Sequence, residues 1–588
     1  MECAVSCRGV VGTTDGRRRT GQAVSIITDA RCRMSRSDRF SMGFDMQSVS
    51  RRAFVLGALG ALSAHCSRSE ARQETRPGSG GAPSPGGELR VAFDGAGVSS
   101  ITLDPQNSAY APHNRVMRSI FDNLTRLNSD QTVSPWLAES WVVSPDRTAY
   151  EFKLRPGIHF HDGAPLDAAA LKANFDRLAE PKNALSSRVH LGSYAGSDVL
   201  DAERVRLRLT EPFTPLLRNL SSTKLAIVSP AAVDKYGATF NQQPVGTGPF
   251  RFVKLEPGRA IHLERNPDYR WAHGATAHNG LAYVERLIFT NVPEESTRIG
   301  ALKAGEMHAA DLIPAQYIRE FRGDPAYALL EREVLNTNYS LSLNAAREPW
   351  SDEDLRLAVR LALDIDQLVR TIYLGTFPRA WSYLSPSMFG SGEKALASSW
   401  GPDPARSRQI LDQKGWLVGA DGVREKDGKK LTLHFIDSQG NREKRLDLMQ
   451  LVKTQLRQVG IQFIVDSRPG SVVLGAMQKG DFDAVAGASF HPDPDMLRQT
   501  YDPTVRSTYG WLRIADDELI AALRAGARDS DGPAREEDYR KAQKRILDKN
   551  YAIPFYVLLY NMAVAKSVAG VTIDNHGFPE FYDAHFVG

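Results

Sequence analysis

WLAESWVVSPDRTAYEFKLRPGIHFHDGAPLDA, Trp136 to Ala168, is the stretch whose reading decides the fold. It reads as a short helix, a turn, a strand, a second turn and the start of another helix. Tyr150, Phe152 and Leu154 alternate with Glu151, Lys153 and Arg155, the period-2 pattern of a half-buried strand. Pro156-Gly157 ends that strand, and His161-Asp162-Gly163 turns the chain, because Asp and Gly tolerate the backbone angles of a tight turn. None of this is reactive chemistry; the stretch is scaffold.

The same residues carry a resemblance. Glu139-Ser140-Trp141, Asp146, then Tyr150, Phe152, Leu154, Arg155, Gly157, Phe160, Asp162, Gly163 and Pro165 are spaced as in the extracytoplasmic solute-binding proteins that serve ABC importers of peptides and nickel. Three further runs are similar to that family: Leu103-Asp104-Pro105; Gly246-Thr247-Gly248-Pro249-Phe250 followed by Leu263 to Tyr269; and Ala301-Leu302 to Glu306. The resemblance runs in order from about Leu89 to the C-terminus.

Bulk properties agree with a large globular body. A chain of 588 residues is too long for one core. Its net charge of +4 is unevenly placed: residues 1–66 hold ten Arg against five acids, and the remainder comes to −1. The body therefore has no electrostatic case for nucleic acid. All four Cys (Cys3, Cys7, Cys32, Cys66) lie in the first 66 residues, which excludes a disulfide scaffold, a zinc–thiolate site and a Cys nucleophile beyond them.

Residues 46–66 read as an export signal. Arg51-Arg52, followed by Ala53-Phe54-Val55 and an apolar run to Ala64, resembles a twin-arginine signal. Cys66 closes that run where lipoproteins carry an acylated Cys, although His65 stands where a small residue is usual; ordinary cleavage nearby is the alternative. Residues 1–45 suit neither export nor folding and read as an N-terminal extension, with translation starting at Met34, Met42 or Met46. Residues 67–87, ending in PGSGGAPSPGG from Pro77, are a flexible linker.

Strands and helices alternate through the body, which indicates an α/β architecture. Expected helices include Asn114 to Leu124, Glu295 to Ala304, Asp352 to Leu374 capped by Ser351, Glu443 to Val459, and Arg535 to Asn550. The resemblance implies a two-lobed periplasmic-binding-protein-like fold of type II with three domains. The first is discontinuous (88–122, 246–337 and 556–588), the second spans 123–245 and the third 338–555.

His159 and His161, two apart on a strand, face one way and could share a metal; a structural turn is the competing reading. Gly246-Thr247-Gly248 lacks the Lys and spacing of a phosphate loop and reads as a strand-entry turn. Neither a His-Glu-x-x-His helix nor a Gly-x-Ser-x-Gly elbow occurs. The expectation is a non-enzymatic receptor without cofactor or metal, extracytoplasmic, monomeric, and working with the transmembrane subunits of an ABC permease.

Segments matching the family's pocket supply the candidate ligand-binding residues: Tyr110, Ala111, Asn338, Tyr339, Trp381, Ser489, Phe490 and His491. The resemblance further implies that Phe490 stands where peptide-binding members have an Asp that pairs with the peptide's α-ammonium. A phenyl ring offers a cation only about 1–2 kcal/mol. That position argues against an ordinary free N-terminus, leaving open a peptide-like solute, a sugar, an amino acid derivative or a metal chelate. An extracytoplasmic hydrolase is the remote alternative.

Overall fold

The computed structural model describes residues 85–95, 102–108, 110–396, 400–437, 441–505 and 514–587, together with Pro83 and Leu512. The export-signal residues Arg51 and Arg52, Cys66 and the extension 1–45 lie outside the described residues.

Three sheets carry the body. A seven-stranded mixed sheet runs in the order Tyr327–Glu333, Leu559–Ala565, Ala309–Asp311, Glu88–Phe93, Arg286–Asn291, Ala260–Arg265, Phe250–Glu256. Its central strand Glu88–Phe93 lies parallel to both neighbours, and its residues Leu89, Val91, Ala92 and Phe93 are buried. Burial on both faces is what a central parallel strand requires. A five-stranded sheet is ordered Gln462–Ser467, Thr432–Asp437, Ala484–Gly487, Tyr339–Leu343, Ala552–Tyr556. A four-stranded antiparallel sheet holds Ala138–Val143, Ala149–Leu154, Arg204–Leu209 and Tyr194–Val199.

One continuous core spans the seven- and four-stranded sheets, whereas Leu341, Leu343, Leu433, Phe435 and Phe463 of the five-stranded sheet build a separate one. The molecule is therefore two lobes. The chain passes between the seven- and five-stranded sheets at two places: between Glu333 and Tyr339, and between Tyr556 and Leu559. Two short adjacent crossovers of this kind are a hinge.

Several local expectations are corrected. Residues 138–143 form a strand, not a helix: β-branched Val142 and Val143 suit it, and Trp141 pairs across to Phe152 in a hairpin turned at Ser144–Thr148. The helix expected over 114–124 is Ala111–Met117, starting at Tyr110 with Pro112 in its first turn and ending where Ile120 and Phe121 enter other contacts. The helix expected from Asp352 to Leu374 is two, Glu353–Leu361 and Ile365–Tyr373. Asp352, not Ser351, caps the first, and Asp364 caps the second by accepting from the Gln367 amide. The helix expected from Glu443 begins at Arg445, after Glu443 and Lys444 adopt left-handed angles (φ 54° and 57°).

The 246–248 loop is a clamp between elements. The Gly248 amide donates to the Ile120 carbonyl at 2.9 Å, and the Phe250 amide to the Ser119 carbonyl at 3.0 Å. A side chain at Gly246 would place Cβ 2.3 Å from the Ile120 oxygen, so only glycine admits this approach. His161 closes the clamp: the Gly246 amide donates to Nδ1 at 3.3 Å, which leaves the proton on Nε2 to donate to the Gly248 carbonyl at 3.0 Å. Burial pushes the His161 pKa down to about 4, which keeps that neutral tautomer. Gly246→Ala is expected to lower unfolding stability by about 1–3 kcal/mol through overpacking against fixed backbone, measured by urea denaturation; a change within error would remove the clamp.

Candidate functional site

Between the lobes lie two adjoining cavities of about 430 and 460 Å³, sharing Leu312, Glu443 and Leu559. The larger is walled by Ala111, Arg115 and Tyr560 on the first lobe and by Arg442, Glu443, Arg445 and Phe490 on the second, with Asn336 at the crossover.

Local structure explains how each polar group reaches this space. Arg115 sits on the helix Ala111–Met117 and is anchored by Asp311 at 2.7 Å, with its guanidinium over the Tyr560 ring. Arg442 and Glu443 come from the turn before the helix Arg445–Gln458 and Arg445 from its first residue, the left-handed Glu443 and Lys444 swinging these side chains into the cleft. Glu443 accepts from Arg445 at 2.6 Å and stands 3.5 Å from Arg442. Burial would raise the Glu443 pKa, but Arg445 and Arg442 outweigh it and hold the carboxyl below its ordinary value. Arg445 lies over the Tyr339 ring at 4.8 Å.

Four lining residues keep a polar group for a guest, since Arg115 Nε and the Tyr560 hydroxyl are buried without a hydrogen bond alongside Asn336 and Arg442. Asn336 is fully buried, and neither its amide oxygen nor its amide nitrogen has a hydrogen-bond partner. Arg442 Nε is likewise buried without a hydrogen bond, its nearest carboxylate being Glu443. Unpartnered buried polar atoms are unusual enough to require a reason, and a cavity beside them supplies one. Three guanidinium groups and one carboxylate line the larger cavity, but Asp311 pairs Arg115 and Asp94 lies close by, so the anion-binding character rests on Arg442, whose Nε has no hydrogen bond.

Of the residues singled out from sequence, Ala111 and Phe490 line the cavity. Tyr339 lies beneath Arg445 and supports it. Tyr110 flanks the cleft on the first lobe, its hydroxyl 3.2 Å from where a Gly470 Cβ would stand. Asn338 faces away: its amide donates to the Ser382 and Leu384 carbonyls, and the cavity residue of that crossover is Asn336, two positions earlier. Trp381 packs under Arg379 at 4.5 Å, its amide donating to Glu393. The Ser489 amide donates to Thr337 Oγ1, pairing the 489–491 segment with the crossover. His491 is buried against His190 rather than the cavity. Phe490 meets a cation from the protein itself: Lys224 Nζ lies 4.3 Å from its ring centroid and donates to its carbonyl at 3.2 Å.

Sequence reasoning missed Arg115, Asn336, Arg442, Glu443 and Arg445. The run Asn441-Arg442-Glu443-Lys444-Arg445 was the available signal, but its charges suit a solvated helix start equally well. His159 is exposed and His161 engaged in the glycine clamp, and among the described residues no cluster of three or more His, Cys, Asp or Glu side chains could hold a metal.

Comparison with known proteins bears on this geometry. Residues 132–508 match the profile of the bacterial extracellular solute-binding proteins, family 5 middle region. The glutathione-binding protein GsiB of Salmonella paratyphi A is 27% identical over 494 residues, covering 81% of this chain and 91% of that protein; GsiB of Escherichia coli K12 matches equally. Among solved structures, the oligopeptide-binding protein AppA of Bacillus subtilis in complex with a nonapeptide superposes with TM-score 0.76 at 20% identity, over 86% of this chain and all of AppA. NikA of Brucella suis in complex with Fe(III)-EDTA gives 0.72 at 24% identity, over 85% and 100%. These likenesses fit the two-lobed, type II α/β arrangement of the sheets. The chain belongs to the bacterial extracellular solute-binding proteins of family 5.

Proposed function

We propose that this protein captures a small peptide-like carboxylate between its lobes and hands it to the transmembrane subunits of an ABC importer. The observation that carries the reading is the set of buried polar groups without hydrogen bonds on the cavity wall, Asn336 and Arg442 Nε foremost. The Asn336 amide offers a donor and an acceptor suited to a peptide group, and Arg442 Nε offers a charged donor suited to a carboxylate. Arg115 and Arg445, already fixed by Asp311 and Glu443, add guanidinium groups that need no ordering on binding. Phe490, with Lys224 on its face, supplies an apolar wall and disfavours a guest ammonium. The relatives named glutathione-binding protein support a guest of this class, since glutathione carries both peptide groups and carboxylates, its one ammonium then lying away from Phe490.

Capture proceeds by population shift. Solute is held first by one lobe, closure about the crossovers adds contacts from the other, and the gain equals the guest's preference for the closed form. The reading divides the body into a discontinuous first domain (88–122, 246–337, 556–588), a second at 123–245 and a third at 338–555. It also takes Arg51-Arg52 as a twin-arginine export signal and Cys66 as a tether to the outer face of the membrane. The protein acts as a monomer and binds without turnover.

Isothermal titration calorimetry with glutathione, with its amidated form and with a neutral sugar tests the solute class. The carboxylate form is expected to bind, and binding of the sugar alone would overturn the reading. Arg442→Gln is expected to weaken glutathione binding roughly 10- to 100-fold, the effect of losing about 1.5–3 kcal/mol from a hydrogen bond to a charged group. Phe490→Asp, which adds a carboxylate to the wall, is expected to raise affinity for dialanine, a peptide with a free α-ammonium; equal affinity in both proteins would place Phe490 outside the guest's reach.

A further inference from the structure

Away from the cavity, the lobes meet at a seam that buries an unusual set of bases. His190, on the 3-10 turn Ser186–Leu191 of the first lobe, places Nδ1 2.7 Å from Nε2 of His491 on the second lobe. The rings lie 4.6 Å apart, and the residues are 3% and 2% exposed. His491 Nδ1 stands 2.9 Å from the Asp493 carbonyl and 3.2 Å from the Asp493 amide, and either neutral tautomer leaves one proton for the Nε2–His190 Nδ1 contact. One proton between the two rings makes the contact, and a proton on each facing nitrogen breaks it.

The elements packed on this pair bring more positive charge than negative, Asp493 alone pulling the His491 pKa upward against burial and Lys224. The Thr223–Leu225 turn brings the buried Lys224 ammonium, and the 574–578 segment brings His576, bonded to Ser221. From the helix Leu216–Asn219, Asn219 donates to the His190 carbonyl, and Arg218 turns to Asp493 and Asp531. Gln499, on the helix Met496–Tyr501, places its amide nitrogen 3.4 and 3.3 Å from the two rings. The carboxylates nearby are each engaged by a guanidinium: Asp493 by Arg535, Asp495 by Arg498, and Asp574 by Arg118.

We propose that His190 and His491 form a proton-sensitive latch: as neutral rings they hold the cleft shut, and in acid surroundings they part and open it. The inference rests on the closure described above, and it adds that solute is retained at neutral pH and released as pH falls.

The sign follows from linkage. Burial, then Lys224, drives both imidazoles below their ordinary value of 6.5, His491 to about 3. A group whose pKa is depressed in the closed form favours closure above its ordinary value and loses that contribution as pH falls below it. Lys224, lowered by burial to about 7, is charged throughout that acid range and reinforces the repulsion.

The test uses the full chain with its four cysteines replaced by serine and spin labels on Asp198→Cys, a half-buried site on the four-stranded sheet, and Lys541→Cys, an exposed site on the Pro533–Asp548 helix. Without any solute, the closed-to-open ratio is expected to fall on the order of 100-fold from pH 7.5 to 5.5 and to recover on return, with circular dichroism unchanged. His190→Gln should cut that response to on the order of 10-fold, one imidazole remaining. Identical distance distributions at the two pH values, loss of circular dichroism at pH 5.5, or an undiminished response in His190→Gln would each overturn the latch. A cleft that opens with acid yet binds no carboxylate sinks only the proposed solute; glutathione bound equally well at both pH values sinks only the latch.

Discussion

The arrangement of the cleft depends on one buried carboxylate. Asp493 is wholly inaccessible and takes two hydrogen bonds from Arg535, at 2.7 and 2.9 Å, with Arg218 of the other lobe at 3.4 Å. Burial would raise its pKa, but the two guanidinium groups outweigh that and hold it below the usual carboxylate range. Such a pair contributes little net stability, because removing both charges from water offsets most of their attraction. Its effect is on geometry: it fixes the 490–495 segment against the Pro533–Asp548 helix, and so fixes the Phe490 ring at the cavity and the His491 ring at the seam. Removing one partner would leave the other charged and buried, at a cost of about 3–5 kcal/mol.

The scaffold was legible because it obeys local rules. The alternation at Tyr150, Phe152 and Leu154 is a strand with those three side chains buried. Asp167, Asp403 and Asp516 cap helices by accepting from the backbone amide three residues on, a local rule of the same kind. Where the reading failed, tertiary context decided. Residues 138–143 have enough Ala, Glu and Ser to pass as a helix, and only the partner strand with Phe152 opposite Trp141 makes them extended. The long helix through 352–374 is interrupted because Asp364 finds a cap in the Gln367 amide, with its own amide bonded to Gln455. Periodicity does not register a distant glutamine.

The candidate site was less legible because its chemistry is assembled from backbone placement rather than motif. Asn336 and Asn338 are indistinguishable by residue type, yet one bonds two carbonyls and the other faces empty space. Pairing of Leu335 to Thr337 with Ser489 to His491 sets which of them turns inward. Glu443 and Lys444 hold left-handed angles that non-glycine residues rarely adopt, at a cost of about 1–3 kcal/mol each. Strain of this size persists only where the surroundings enforce it, and here the Arg445–Glu443 bond and the Lys444–Glu295 ion pair do so.

That strain has a consequence for selectivity. A straight helical start would carry Arg442, Glu443 and Arg445 around three sides of a helix, since successive residues are about 100° apart. The left-handed pair instead sets them together on one wall, with Glu443 orienting Arg445 while Arg442 Nε remains without a hydrogen bond. Arg115 is likewise tied by Asp311 before any guest arrives. The guanidinium groups are thus held in place by protein carboxylates, and a guest need not order them. Affinity for an anion in such a cleft comes from a field already oriented, which discriminates against guests of the wrong charge more sharply than flexible surface arginines could.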